Sequence, residues 1–453
     1  MSFVKKFIEP PEAQPPCYKT EEEMKEKYKY WRFRQLYATF IGYAVYYFVR
    51  KNISLAVPLM TAPNAGLGLT KADLGKVMSF GDVVYGVSKS FNGFLGDRCN
   101  PRYFMAFGLL MSAVANFFFG MSATVGVLIF FWCLNGWFQG MGAAPCSRVI
   151  THWYHSKERG VYWGIWNTSH QVGLSIVLVM AGYLGQYMGW RYIFWVPAAL
   201  AGLTSLFLLE RLRDTPASLG LPEPEVYTGE QKLEEAKIEK EEKQTTKEFF
   251  HFLCHNVFNN PALWAICIAN FLIYVLRYGF VNWAPAFLTD KGINLANIGW
   301  MVAGFEIAGL CGSLLAGWLT DKFFAGQRSP VCVAYMLLST LAIYGFWKIE
   351  TNNAFVYGAM LLLVGFLIYG PQMLVAVMAT DLATKKAAAT AVGMTGLFGY
   401  ASGIVSGWGL GHVLDHYGWD HAFLGLVICS AVTIIPFVCC WNARPRQVSE
   451  LNK

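Results

Sequence analysis

Arg50 and Arg277 each lie inside an apolar stretch long enough to form a membrane-depth helix, and they stand 227 residues apart in a chain of 453. An arginine at the bilayer centre costs about 2.5 to 3.5 kcal/mol on insertion scales, so it persists where it faces a cavity, a partner or a ligand. Guanidinium is planar, permanently charged and bidentate toward phosphate oxygens, a geometry that lysine does not offer. Two of them at matching positions suit a doubly charged anion.

Other polar side chains share faces with these two. The first apolar segment carries Tyr43, Tyr46, Tyr47 and Arg50 at helical spacing on one stripe. The seventh repeats the theme with Asn270, Tyr274 and Arg277, the second sets Asp82, Tyr85 and Lys89 on one side, and the fifth does so with Trp163, Trp166, Asn167 and His170. Each has a plainer reading. Tyrosine stripes also pack or anchor at interfaces, Asp82 could neutralise Lys89, and an isolated histidine is often a satisfied core residue. Glu306 in the eighth segment could be a structural partner for a nearby cation, and Lys51 and Arg148 could snorkel to an interface. Histidine titrates near neutrality, as phosphate does at its second step.

The elements that must position these residues are membrane helices. The chain is 55% hydrophobic and only 14% charged, far from the quarter-charged composition of soluble domains. Apolar runs of spanning length recur at 35–57, 74–96, 103–122, 124–152, 160–187, 190–210, 261–288, 295–320, 330–347, 354–380, 387–414 and 420–441. They are continuous, where a closed barrel would alternate over about ten residues. An all-α membrane protein with twelve transmembrane helices is expected. Lys and Arg concentrate in the N-terminal arm, the central linker and the loops on the same side, while the opposite ends hold Lys71, Lys76, Arg191, Lys291 and Lys348. Both termini are therefore expected in the cytoplasm, with the chain in the plasma membrane, the inner membrane of a bacterium.

Several classes find no support. Residues 1–19 lack the apolar core of a signal peptide. The eleven cysteines show no metal-ligand spacing and no extracellular pairing pattern. No nucleophile and base pairing and no phosphate-cradling glycine loop is found, so neither an enzyme nor a cofactor is expected. The partners expected are a phosphate-bearing solute and the lipid bilayer, without nucleic acid, for a monomeric chain.

Self-comparison divides the chain in two. The loop Gly93-Phe-Leu-Gly-Asp97-Arg98 matches Gly317-Trp-Leu-Thr-Asp321-Lys322 at an offset of 224, and Gly189-Trp190 matches Gly418-Trp419 at 229. Offsets this close to that of the arginines argue for duplication of a six-helix unit. The expected plan is an arm over 1–34, a six-helix half over 35–212, a cytoplasmic linker over 213–260 read as a solvated tether, a second half over 261–441 and a tail over 442–453. Asp97, Arg98, Asp321 and Lys322 could pair across helix ends as a latch. Two halves around a central cavity, with substrate near the midplane, is the major facilitator arrangement.

The residues also resemble a known family. Gly42-Tyr-Ala-Val-Tyr-Tyr-Phe-Val-Arg-Lys-Asn52, Tyr85-Gly-Val-Ser-Lys89, Asn135-Gly-Trp-Phe-Gln-Gly-Met-Gly142, Lys157-Glu-Arg-Gly160, Trp166-Asn-Thr-Ser-His170, Tyr274-Val-Leu-Arg-Tyr-Gly279 and Thr395-Gly-Leu-Phe-Gly-Tyr400 are similar to stretches of the organophosphate:phosphate antiporters, a branch of the major facilitator superfamily. The resemblance spans nearly the whole chain. It implies exchange of an organic phosphate for inorganic phosphate by alternating access. Arg50 and Arg277 would hold the phosphate, and Lys89, His170, Tyr47 and Tyr400 would assist. Asn282 stands where some relatives have an aspartate, Ala143-Ala144-Pro145-Cys146 replaces a tryptophan and proline, and the eleventh helix lacks an acid and base pair found in some hexose-phosphate carriers. Hexose 6-phosphate, such as glucose 6-phosphate, is expected ahead of glycerol 3-phosphate, and a sensor of sugar phosphate remains an alternative.

Overall fold

The structure, a computed structural model, describes residues 11–96, 98–228, 257–324, 326–351, 353–383 and 388–441, and helices make up nearly all of them. Span 1 is Glu21–Phe48 continued by Ile53–Met60, span 2 is Lys71–Gly96, and span 3 is Pro101–Met121. Span 4 joins Val125–Gln139 to Ala143–Trp153, span 5 joins Ser156–Asn167 to Ser169–Tyr187, and span 6 is Tyr192–Arg211. The second half follows with span 7 (Pro261–Asp290), span 8 (Leu295–Phe323), span 9 (Ser329–Lys348) and span 10 (Ala354–Leu382). Span 11 begins as Ala388–Ala401, widens through Val405–Gly409 and runs on from Leu410; span 12 ends with Ile434–Cys439.

Local chemistry explains the boundaries. Asn100 and Asn260 cap spans 3 and 7 by accepting from the amides of Arg102 and Ala262, both at 3.1 Å, and each is followed by a proline at the first helical position. Gly189 and Gly418, the matched glycines before spans 6 and 12, both take positive φ, at 97° and 75°. Only glycine adopts that conformation without strain, so the duplicated Gly-Trp pair is a duplicated turn.

Among the described residues eight helical stretches are long and apolar enough to cross a membrane, and the last of them, Thr390–Cys439, holds both spans 11 and 12. Spans 1, 2 and 5 fall outside this set. Span 1 breaks after Phe48, span 5 breaks at Thr168, and span 2 carries Lys71, Asp73, Lys76, Asp82 and Lys89. The three helices with the weakest membrane signal are those bearing Arg50, Lys89 and His170.

Two expectations are corrected. The first helix starts at Glu21 and not near residue 35, because Thr20 caps it, Glu21 to Glu23 oppose its positive end, and Lys25–Glu21 and Lys27–Glu23 pair at 2.6 and 2.8 Å. The linker's opening is no free tether: Gln14 and Cys17 donate backbone bonds to Ala217 and Gly220 at 2.9 and 3.1 Å, and Tyr227 stacks on Tyr28 at 4.2 Å. The mixed-charge run Glu230–Lys247 and the tail lie outside the described residues.

The halves meet by backbone approach at the end opposite the arm. A Cβ on Gly299 would stand 2.6 Å from the Leu178 carbonyl oxygen, one on Gly182 2.7 Å from that of Leu295, and one on Gly75 2.5 Å from that of Gly407. Small residues at such crossings let helices pack on backbone atoms, the usual solution where lipid removes the hydrophobic drive. Polar links reinforce the contact. Asp415 accepts from the amides of Lys71 and Ala72 at 3.2 and 2.7 Å, Lys71 pairs with Asp290 at 3.2 Å, and Gln186 accepts from the Ala296 amide at 2.9 Å.

These crossings generate a prediction. An isopropyl group forced against backbone costs about 1 to 3 kcal/mol, so Gly75→Val or Gly299→Val should hold the halves apart at this end. Cysteines introduced at Gln186 and Ala296 should crosslink readily in the parent protein and poorly beside either valine. Equal crosslinking in all three proteins would refute the packing argument.

Candidate functional site

Where span 1 stops, it presents two cations in succession. Arg50 is 7% exposed, donates through Nη1 to the Tyr47 hydroxyl at 3.3 Å, and lays its guanidinium 3.6 Å from the Tyr85 ring centre. Lys51 turns the other way, with Nζ 3.2 and 3.3 Å from the Asp82 carboxylate oxygens and 4.1 Å from the Tyr278 ring centre. Asp82 therefore neutralises Lys51. Lys89, its expected partner, instead donates to the Tyr400 hydroxyl of the other half at 3.0 Å.

Arg277 reaches the same cavity from span 7, whose helix runs through it unbroken. Its Nη2 lies 3.5 Å from Glu306 Oε2, and its guanidinium sits 4.5 Å from the Tyr369 ring centre. That separation is at the limit of hydrogen bonding. Arg277 Nε and Glu306 Oε1 have no hydrogen-bond partner although both are buried. Buried polar atoms are normally satisfied, so both atoms keep an unused capacity to bond within the site.

Duplication explains the pairing. Asp82 and Glu306 differ by 224 positions, the offset of the matched loops, so each half sets a carboxylate on its second span against a cation on its first. Among the described residues no carboxylate pairs with Arg50. Arg50, Lys51, Lys89 and Arg277 face two acids, Asp82 and Glu306, an excess of two positive charges. The space is about 370 Å³ and is lined by Tyr47, Arg50, Lys51, Leu174, Tyr274, Arg277, Tyr278, Val281, Glu306 and Tyr400.

The other expected residues divide. Tyr47, Tyr274, Tyr400 and Glu306 line the cavity with the arginines, and Lys89 joins through Tyr400. His170 and Tyr43 stand behind Tyr47, with rings 5.5 and 5.6 Å from its centre. Tyr46 is a correction: its hydroxyl donates to the Met105 carbonyl at 2.7 Å and its ring packs toward spans 3 and 4. Successive helical positions turn by about 100°, so Tyr46 and Tyr47 cannot both point into one space. Asn167 is exposed at the end of Ser156–Asn167 and does not line the cavity. Asn270 donates to the Thr395 carbonyl at 2.7 Å, a packing contact between spans 7 and 11.

The latch residues behave differently from expectation. Asp97 lies outside the described residues, and Arg98 rests 4.0 Å from the Phe94 ring centre. Asp321 faces Arg328 at 3.7 Å, and Arg328 also holds Asp381 at 2.8 Å, whereas Lys322 lies over Trp318. Span 8 is still helical at residue 322, which turns Lys322 away from its neighbour. Arg148 does not snorkel; it grips Asp214 at 2.7 and 2.9 Å. Lys51, Tyr278 and Tyr369 escaped notice as site residues. Lys51 and Tyr278 adjoin the two arginines and share their offset, a signal that was available; Tyr369 sits mid-span, far along the helix from Asp381, with no charge beside it to flag it.

A sequence profile described as Major Facilitator Superfamily matches residues 39–407. The chain belongs to that superfamily. A Chlamydia pneumoniae protein named "Probable hexose phosphate transport protein" is 40% identical over 99% of both chains. A Bacillus subtilis "Glycerol-3-phosphate transporter" is 38% identical over 94% of this chain and 96% of its own, and an Escherichia coli "Membrane sensor protein UhpC" is 33% identical over 97% and 99%. These relatives bear out the resemblance to organophosphate:phosphate antiporters. This superfamily member is thus a multi-pass membrane protein of a transporter lineage and not an enzyme. In fold it is similar to a bacterial homolog of the human lysosomal transporter Spinster, captured inward-facing and unoccupied, with a TM-score of 0.70 and 16% identity over 91% of this chain and 96% of that one.

For this superfamily member the geometry yields a prediction. Arg50→Lys or Arg277→Lys keeps the charge and loses the two-pronged donor, so each should reduce phosphate exchange in liposomes by about a hundredfold or more, the loss of two charge-assisted bonds. Insertion and melting should stay near the parent. Exchange at the parental rate by either variant would remove the phosphate clamp.

Proposed function

We propose that this protein exchanges an organic phosphate, hexose 6-phosphate foremost, for inorganic phosphate by alternating access. The observation that carries the reading is the excess of two positive charges at a cavity between the halves that both Arg50 and Arg277 line. A phosphate dianion matches that excess. The two arginines repel one another in a medium of low dielectric, and a bound dianion replaces repulsion by attraction to both halves. The loaded protein therefore has the easier path between its two orientations, and exchange is favoured over net uptake.

The names of the relatives at 40% identity favour a hexose phosphate, and the glycerol-3-phosphate transporter at 38% keeps that smaller solute as the alternative. A sensor is the second reading, carried by the 33% identity to a membrane sensor over almost the whole chain. We place the protein in a bacterial inner membrane as a monomer, with both termini in the cytoplasm. Contacts between the halves at the end opposite the arm then leave the cytoplasmic side as the route of entry in this conformation.

Proteoliposomes separate carrier from sensor. Vesicles preloaded with inorganic phosphate should take up labelled glucose 6-phosphate at least tenfold faster than empty ones, because the unloaded arginines repel one another and each tenfold in rate needs only about 1.4 kcal/mol of barrier. Uptake should rise with internal phosphate and saturate. Equal uptake by loaded and empty vesicles rules out obligatory exchange, and binding with no uptake in either favours the sensor.

A further inference from the structure

The two arginines are held by different means. Span 7 carries Arg277 on an unbroken helix with Glu306 of span 8 against it, while span 1 leaves the helix at Val49, resumes at Ile53 and offers Arg50 no carboxylate among the described residues. A break at bilayer depth frees backbone groups that water cannot reach, and they persist only where protein satisfies them. The Val49 carbonyl, on a fully buried residue, accepts from two side-chain amides: Asn116 Nδ2 of span 3 at 2.9 Å and Asn135 Nδ2 of span 4 at 2.8 Å. On the other side of the break Asn52 Nδ2 donates to Asn116 Oδ1 at 3.1 Å and to the Ile193 carbonyl of span 6 at 3.0 Å. Backbone carbonyls only accept, so these partners fix which end of each amide faces them.

Spans 3 and 4 thus converge on the peptide that links Val49 to Arg50, and spans 3 and 6 hold Asn52 just beyond it. Asn52, Asn116 and Asn135 are all buried, and Asn135 also lines a polar recess beside Arg50 together with Asp82, Tyr85 and Gln139. We propose that Asn116 and Asn135 are positioning residues for the anion: by holding the Val49 carbonyl they keep span 1 broken and aim the Arg50 guanidinium into the cavity. This inference rests on the anion-binding reading of the cavity. Asparagine suits the role because its amide donates to the carbonyl without bringing a charge next to Arg50. In the other half Glu306 stands beside Arg277 in that place, and Asn270 of span 7 donates to the span 11 backbone.

The test uses the full-length protein in detergent, with inorganic phosphate as the probe and the rise in melting temperature with phosphate concentration as the measure of affinity. Asn135→Leu removes the donor at similar volume and should weaken apparent phosphate affinity about tenfold, the loss that accompanies one buried hydrogen bond. Asn135→Ser restores a donor in a smaller side chain and should recover most of the affinity. If the leucine variant is too unstable to purify, Asn135→Ala beside Asn135→Ser is compared in the same way. Unaltered affinity in the leucine or alanine variant, or equal losses with and without the hydroxyl, overturns the positioning role. A parent protein whose melting ignores phosphate overturns the anion reading itself, and this inference falls with it.

Discussion

Uncompensated positive charge at bilayer depth is the constraint from which the rest of the structure follows. Arg50, Lys51, Arg277 and Glu306 line a space of about 370 Å³, to which Asp82 is tied through Lys51 and Lys89 through Tyr400. Such a cluster is tolerated because aromatic faces surround it: Tyr85 under Arg50, Tyr278 under Lys51 and Tyr369 under Arg277. The negative face of a ring attracts a cation without neutralising it, so these tyrosines stabilise the charges and leave their net sign intact. Carboxylates in the same places would have made an inert set of ion pairs. The two that are present lower the excess to what one dianion carries.

The joining of the halves obeys a second constraint, that the contact must form and also release. Glycines at 75, 182, 299 and 407 bring backbones together over short patches, and the polar links at that end are few and partly exposed. Exposed ion pairs contribute roughly 0 to 1 kcal/mol each, so Lys71 with Asp290 sets register more than it adds strength. Within each half the ties are of another kind. Arg148 grips Asp214 with two bonds, and Arg328 draws Asp321 and Asp381 together. Strong contacts inside the halves and weak ones between them suit two bodies that rock on a shared cavity.

Much of this was legible in the sequence. Continuous apolar runs mark helices irrespective of what they pack against, and the shared offset of Arg50 with Arg277 exposes the duplication and the cavity together. What escaped was direction. Tyr46 and Tyr47 are neighbours on a stripe, yet packing against Gly108 and Gly142 turns the first away from the cavity. Asp82 lies one side-chain length from either of two lysines, and the break in span 1 decides for Lys51. Helical periodicity assumes an unbroken helix, so a pattern read through residues 49 to 52 misplaces whatever follows. Lys322 shows the converse, since a helix that continued past its expected end carried it away from Asp321.

The unequal support of the two arginines bears on how the halves respond to a ligand. Glu306 competes with any anion for Arg277, so binding there exchanges one negative partner for another, and the long 3.5 Å contact makes that exchange easy. Arg50 has no such competitor and is held through its backbone, with Asn116 and Asn135 fixed to the body of the first half. An anion drawn to Arg50 therefore pulls on a rigid mount, while the same anion at Arg277 loosens a contact inside the second half. Attraction between anion and arginine is shared equally, but the yielding is not. The duplicated sequence thus builds a cavity whose excess charge lies in the first half and whose yielding contact lies in the second, so motion on loading falls to the side where a charge pair, rather than a backbone, holds the arginine.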